Sequence, residues 1–156
     1  MSSKRIPVRW DVEVTVNNLN SMPAMNKTSE YLLLFRGSNW DQGLSPEEIQ
    51  HVMTKTMNWF DSLYAQGKVK AGQPLGTNGR TISGKNGSTV SDGPFAESKE
   101  AIGGYLIVQA ASMDEAVAIA QQCPNLTHGS SVEVRPLVDE CPTFQRAKQQ
   151  LALATA

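Results

Sequence analysis

The chain contains few of the residues that mark a disulfide-rich or metal-binding protein. Its two cysteines, Cys123 and Cys141, each stand directly before a proline. Two isolated thiols form neither a disulfide framework nor the clustered spacing of a metal site, so we expect both to be reduced and structural. No group of histidine, cysteine or carboxylate residues has the spacing of metal ligands, and we predict that no metal is bound.

An excess of charge and long apolar runs are also missing. Lys and Arg number 14, Asp and Glu number 15, and a net charge of −1 leaves no surplus of cations for a nucleic acid backbone. No apolar run approaches the roughly 18 residues that span a bilayer, and the start of the chain lacks the apolar stretch of a signal peptide. We expect a cytoplasmic protein without a nucleic acid or membrane partner. No glycine-rich phosphate loop is present, and we predict no cofactor.

What is present is the composition of one globular domain, with 40% hydrophobic and 19% charged residues in a chain of 156. Residues 1–28 form an N-terminal extension with a pattern of its own. Apolar and polar residues alternate over residues 8–16, which predicts a strand with one buried face. The apolar positions are Val8, Trp10, Val12, Val14 and Val16. We expect this strand to join the sheet or to lie on a partner subunit, and a dispensable tail is the other interpretation.

Residues 29–139 have the patterns of an α+β domain, and residues 140–156 predict a C-terminal helix rich in Ala, Gln and Leu. The continuous apolar run at 31–35 is typical of a central strand covered on both faces. Ser45, followed by a proline and two glutamates, has the chemistry of a helix start. We expect this helix to end near Gln66, because a glycine follows.

Short strands are predicted between residues 69 and 90. Asn78-Gly79 and Asn86-Gly87 are dipeptides that accept the positive φ of tight hairpins, so we expect a meander here. Arg80 could place its positive charge at the mouth of a pocket. The alternative is that Arg80 is an ordinary solvated cation on a hairpin.

The remaining elements complete a recognisable order. Tyr105 to Ala110 predicts a strand, Ser112 begins a second helix, and residues 131–137 alternate as a last strand. This order predicts a ferredoxin-like antiparallel sheet with helices on one face. The other face of the sheet must pack against a partner, and a symmetric homodimer is the simplest way to bury it.

The run Asp-Gly-Pro-Phe-Ala-Glu-Ser-Lys-Glu occupies residues 92–100, and Ile-Gly-Gly-Tyr follows at 102–105. Together with the closing Ser-Val-Glu-Val-Arg-Pro-Leu at 131–137, these residues resemble the signature of the DGPF, or YCII-related, domain family. The resemblance covers about residues 30–139. It implies the fold of the dimeric α/β barrel superfamily. Most members of the DGPF family lack an assigned activity.

The signature itself carries candidate ligand-binding residues. Asp92 is a candidate base or hydrogen-bond acceptor, Phe95 an apolar wall, and Glu97 and Lys99 partners for a polar ligand. Tyr105 is a candidate donor lining the same pocket. The structural alternative is a rigid corner, because Asp, Gly and Pro in succession already define a turn and the charges after it could form the solvent face of a strand.

The resemblance also implies a proposed catalytic His–Asp pair in related YCII-type proteins, with the histidine on the first helix and the aspartate before a proline after the second. The corresponding positions here are Thr56, on the inward side of the first helix, and Cys123. Neither residue can take part in proton transfer between a carboxylate and an imidazole. Thr56 is therefore retained as a ligand-binding candidate, without a catalytic role.

Three functional hypotheses follow. The protein binds a small organic ligand in a regulatory role, which the missing His–Asp pair favours. Alternatively, it is a cofactor-free enzyme that transfers a proton or oxygenates a small hydrophobic substrate, a capability implied by the wider superfamily. In the third, it is an interaction module linked to sigma-factor-dependent transcription, because genes for DGPF relatives often neighbour those of sigma factors. An apolar cavity without a titratable pair would favour the first hypothesis.

Overall fold

The computed structural model describes residues 28–37, 39–94 and 100–155. The strand predicted at residues 8–16 lies outside the described residues. The strands are β1 Ser29–Arg36, β2 Val69–Pro74, β3 Arg80–Ser83, β4 Thr89–Asp92, β5 Ile102–Ala110 and β6 Ser131–Pro136. The helices are α1 Pro46–Ala65, α2 Met113–Gln121 and α3 Pro142–Ala154, and short 3₁₀ turns occupy Lys85–Gly87 and Pro124–His128.

Four of the strands form one antiparallel sheet in the order β2-β5-β1-β6. Strand β1 lies inside the sheet and pairs with β5 on one side and with β6 on the other. With α1 after β1 and α2 after β5, this is the ferredoxin-like α+β topology that the sequence predicts. The predicted fold class is confirmed.

The predicted meander is only partly correct. Strand β2 pairs with β5 in the main sheet, and only β3 and β4 form a local hairpin. Asn86 and Gly87 turn this hairpin with φ of 58° and 68°, the left-handed values that the sequence predicts for them. Strand β2 pairs with a strand that is distant in sequence. A Cβ at Gly104 would lie 3.1 Å from the carbonyl oxygen of Gln73, closer than ordinary van der Waals contact, so glycine suits the close approach of these two strands.

Helix α1 begins where the sequence predicts. The Ser45 hydroxyl accepts a hydrogen bond from the Glu48 N–H at 3.2 Å, and the Glu48 carboxylate accepts one from the Ser45 N–H at 2.7 Å. This reciprocal pair satisfies two backbone donors that the first turn leaves without helical partners. Gly67, with φ of 66°, follows the end of the helix. Both ends of α1 are therefore determined by local sequence.

The core lies between the sheet and the two helices α1 and α2. Leu33 of β1 and Val108 of β5 are completely buried at its centre. The other buried members come from both sides of this layer: Tyr31, Trp59, Leu63, Leu106, Ala110, Ala116, Ile119, Ala120 and Cys123. Because one cluster contains residues of both helices, α1 and α2 cover the same face of the sheet.

The opposite face of the sheet carries a second set of apolar side chains. Successive residues of a strand point to opposite faces, so the neighbours of the buried positions lie here. Four of them form a strip across β1 and β5, which we call the open-face strip: Leu32, Leu34, Tyr105 and Ile107, each half-buried. The residues that α1 and α2 contribute to the core cluster lie on the other side of the sheet.

Two further features concern the helices. Helix α3 carries no buried residue, and its Phe144, Leu151 and Leu153 are largely exposed. Among the described residues, no helix combines the length and the apolar character needed to cross a membrane.

The central position of Leu33 leads to a prediction about stability. Replacing Leu33 with Ala leaves a cavity in a completely enclosed site, and we expect the free energy of unfolding to fall by about 3 kcal/mol. The matched control is Leu153→Ala on α3, where the side chain is 80% exposed and the change should stay within about 0.5 kcal/mol. Urea denaturation at one protein concentration measures both. Equal changes in the two variants would contradict the described core.

Candidate functional site

A large cleft lies between α1 and the end of the sheet where β2 meets β5. Its volume of about 1080 Å³ is slightly above the range of about 300 to 1,000 Å³ that is usual for small-molecule sites. Helix α1 contributes five positions on one side of the helix, at residues 56, 57, 60, 61 and 64. The connection from β2 to β3 and the first half of β5 form the other wall.

Most of the wall is apolar or aromatic. The main contributors are Phe35, Trp40, Met57, Phe60, Tyr64 and Leu75. Phe35 and Phe60 meet edge to face, with ring centroids 6.3 Å apart and an angle of 88° between the planes. Trp59 packs next to both rings and is itself in the core, so the aromatic wall is continuous with the buried interior. Such a wall favours an apolar ligand.

The polar end of the cleft is formed by Thr56 and Asn125. The Thr56 Oγ1 lies 2.8 Å from Asn125 Oδ1. The Thr56 Oγ1 also lies 2.8 Å from the carbonyl oxygen of Val52. Asn125 belongs to the 3₁₀ turn that follows α2, and it reaches α1 from there. Sequence reasoning missed Asn125. The available signal was an amide side chain directly after the proline that ends the second helix.

Cys123 also lines the cleft and is buried. Burial raises the pKa of the Cys123 thiol, and hydrogen bonds from the backbone N–H groups of Asn125 and Leu126 oppose this effect in part. The thiol is therefore uncharged at neutral pH.

Arg36 is a second residue that sequence reasoning missed. Its Nε and Nη2 donate to Glu133 Oε2 at 3.0 and 2.7 Å, and its Nη1 donates to the carbonyl oxygen of Glu100 at 3.0 Å. Hydrogen bonds from Arg36, and then from Arg135, hold the pKa of the Glu133 carboxyl below its usual value. The sequence signal that could have indicated Arg36 was a cation at the end of an otherwise apolar strand.

Of the predicted site residues, the structure brings the Thr56 side chain to the cleft. Tyr105 is also among the lining residues, but its side chain belongs to the open-face strip on the opposite face of the sheet, so Tyr105 borders the cleft through its backbone. Arg80 and Asp92 face each other across the β3–β4 hairpin, with Arg80 Nε 3.6 Å from Asp92 Oδ1, and both side chains are at least 75% exposed. Asp92 instead borders a shallow depression beside Arg36.

The other three predicted site residues, Phe95, Glu97 and Lys99, lie outside the described residues. The corner before them is described at Gly93. Its N–H donates to the carbonyl oxygen of Gly79 at 3.0 Å, and its φ of 131° favours glycine. Within the described ranges, no three His, Cys, Asp or Glu side chains are grouped so that they could hold a metal ion.

Comparison with known proteins adds two individual similarities. Over 63 residues the chain is 43% identical to an uncharacterised protein, R00369, of Rhizobium meliloti strain 1021. The aligned part is 39% of this chain and 51% of that protein, so the chain spans about half the length of the curated relative. A 5-chloro-2-hydroxyhydroquinone dehydrochlorinase from Burkholderia phenoliruptrix AC1100, solved with 2,5-dihydroxybenzoquinone, is 17% identical, with a TM-score of 0.38 over 71% of this chain and 95% of that one.

A family model extends over most of the chain. The model of the YCII-related domain matches residues 29–140, from the first residue of β1 to a point just before α3. The match confirms the resemblance carried by the run at 92–105 and by the last strand. The chain belongs to the YCII-related domain family.

Proposed function

We propose that the protein binds a small, mainly apolar organic compound in the cleft beside α1, in a regulatory role and without transforming it. The observation that carries the proposal is the composition of the cleft. Aromatic and aliphatic side chains make most of its wall, and its polar end is a threonine and an asparagine. A cleft of this kind holds and orients a ligand through apolar contact and a few hydrogen bonds.

The chemistry of the polar end supports binding rather than catalysis. General acid–base catalysis uses a group whose pKa lies near the working pH. The hydroxyl of Thr56 and the amide of Asn125 do not titrate in that range, and burial keeps the nearby thiol of Cys123 protonated. The pair at this end of the cleft can therefore accept or donate hydrogen bonds but cannot shuttle a proton.

We further propose that the protein is a homodimer in which two open-face strips pack together. The strip is apolar at its centre and has ion pairs at its ends. Arg36 and Glu133 lie at one end, and Lys70 and Glu30, with Nζ and Oε1 3.8 Å apart, lie at the other. An apolar centre with a charged rim is the usual anatomy of a protein interface. A second copy of the chain supplies the same apolar strip and so matches it in size.

The binding proposal predicts the behaviour of two methionines on α1. Met57 lines the cleft, whereas Met53, one turn earlier and 49% exposed, does not. We expect 2-naphthol to bind the wild-type protein, and Met57→Asp to weaken this binding at least about tenfold, because an apolar ligand would remove water from the new carboxylate. Met53→Asp, the matched control, should bind as the wild type does. Isothermal titration calorimetry measures all three dissociation constants.

The same samples distinguish binding from catalysis. After prolonged incubation with the protein, 2-naphthol should be recovered chemically unchanged by liquid chromatography and mass spectrometry. A protein-dependent product would show that the site is an enzyme active site. Failure of the wild-type protein to bind, or equal weakening by Met53→Asp, would refute the proposed use of this cleft.

The dimer proposal predicts the effect of a charge on the open-face strip. Ile107→Glu places a carboxylate at its centre, and we expect sedimentation to show a monomer where the wild-type protein is a dimer, because the charge would be buried without a partner. Ile82→Glu on the β3–β4 hairpin, where the side chain is 68% exposed, should leave the dimer intact. Circular dichroism checks that both variants are folded. A monomeric wild-type protein, or a folded dimeric Ile107→Glu variant, would rule out this interface.

A further inference from the structure

The hydroxyl of Thr56 has more oxygen neighbours than it has protons. It lies 2.8 Å from the carbonyl oxygen of Val52 and 2.8 Å from Asn125 Oδ1. One hydroxyl carries one proton, so it can donate to only one of these two acceptors. The other contact would then join two oxygen atoms with no proton between them, which is repulsive at that distance.

A half-turn of the Asn125 amide removes the conflict. The two ends of a side-chain amide have nearly the same shape, and the surrounding hydrogen bonds determine which end is oxygen and which is nitrogen. With the nitrogen towards α1, Asn125 donates to Thr56 Oγ1, and Thr56 donates its proton to the Val52 carbonyl four residues earlier. Threonine commonly makes this second bond inside helices. Both short contacts are then proper hydrogen bonds.

This assignment leaves the carbonyl oxygen of the Asn125 amide as the end without a hydrogen bond in the part of the chain that the structure describes. Asn125 is only half-buried and lines the cleft. Its turn is held in place by the Leu126 N–H, which donates to the Cys123 carbonyl oxygen at 3.2 Å, and by the Thr127 hydroxyl, which donates to the Pro124 carbonyl oxygen at 2.9 Å. The acceptor is therefore held by a fixed turn.

We infer that Asn125 is a specificity-determining residue, oriented by Thr56, that selects ligands carrying a hydroxyl or N–H donor on an uncharged aromatic body. This inference rests on the proposed binding function of the cleft. A ligand donor that reaches the amide oxygen makes a hydrogen bond, whereas a ligand without a donor leaves that oxygen without water and without a partner. Leaving the amide oxygen without a partner costs more binding free energy than the hydrogen bond to a ligand donor gains. A polar group of this kind therefore discriminates against ligands that lack a donor.

The charges around the cleft explain why the ligand should be neutral. Asp61 and Glu100 are among the lining residues, and the guanidinium of Arg36 is already bonded to Glu133 and to the Glu100 carbonyl oxygen. An anionic ligand would meet an amide oxygen that can only accept a hydrogen bond, and the guanidinium of Arg36 is already engaged. Uncharged phenols and aromatic N–H compounds fit this environment, and carboxylates do not.

The test compares two ligands that differ only in the donor. In 2-methoxynaphthalene the hydroxyl proton of 2-naphthol is replaced by a methyl group, and the apolar body is kept. At neutral pH we expect calorimetry to show that the wild-type protein binds 2-naphthol about tenfold more tightly than the ether. Asn125→Ala should reduce this preference to about twofold or less. Asn58→Ala, at an exposed asparagine of α1 outside the cleft lining, is the matched control and should keep the preference.

Two variants of Thr56 test its positioning role. Thr56→Val removes the oxygen that accepts from the Asn125 amide, and we expect it to lower the preference for 2-naphthol over the ether. Thr56→Ser keeps the hydroxyl and should restore the preference. A purely structural role of Thr56 would change the affinity for both ligands alike.

The possible outcomes separate this inference from the proposed function. The wild-type protein could bind both ligands equally while Met57→Asp weakens the binding of both. The cleft would then be a binding site, but the inference that Asn125 selects the ligand would be wrong. A preference that survives in Asn125→Ala also overturns the inference. If the wild-type protein binds neither ligand, the proposed function fails and the inference fails with it.

Discussion

The packing of α1 on β1 is the contact on which the rest of the cleft depends. Phe35 of β1 meets Trp59 and Phe60 of α1 edge to face, with ring centroids 6.2 and 6.3 Å away. Trp59 continues into the core that contains Leu33, so the wall of the cleft and the interior of the domain are one packed unit. This packing fixes the rotation of α1, and that rotation turns Thr56 towards the turn after α2.

The chemistry of the cleft is determined by the residues at its polar end, Thr56 and Asn125. The family resemblance implies a histidine and an aspartate in related proteins at the positions of Thr56 and Cys123, a pair that can exchange a proton. In this chain Thr56 makes a hydrogen bond with Asn125, and neither group changes its charge near neutral pH. The charges of Arg36 and Glu133 are paired with each other at the far end of β1. These features support a site that recognises a ligand by hydrogen bonding and apolar contact.

Local sequence signals predicted the elements well where a local interaction decides the structure. Ser45 and Glu48 cap α1 through bonds between residues three apart, and Asn86 and Gly87 adopt the left-handed turn that their side chains permit. The prediction failed for β2, which joins β5 in the main sheet and does not continue into a meander. The choice of a strand partner depends on which face each strand buries, and that is a property of the whole sheet.

The sequence by itself therefore determined the order of the elements, the ends of α1 and the alternation that gives the sheet its two apolar faces, because these depend on neighbours along the chain. It also pointed to Thr56, which lines the cleft. Only the tertiary structure decided that Arg80 pairs with Asp92 away from the cleft, and that Asn125 meets Thr56. Thr56 and Asn125 are 69 positions apart in the sequence, and no local interaction connects them. Their contact exists because the sheet and its two helices pack around a single core.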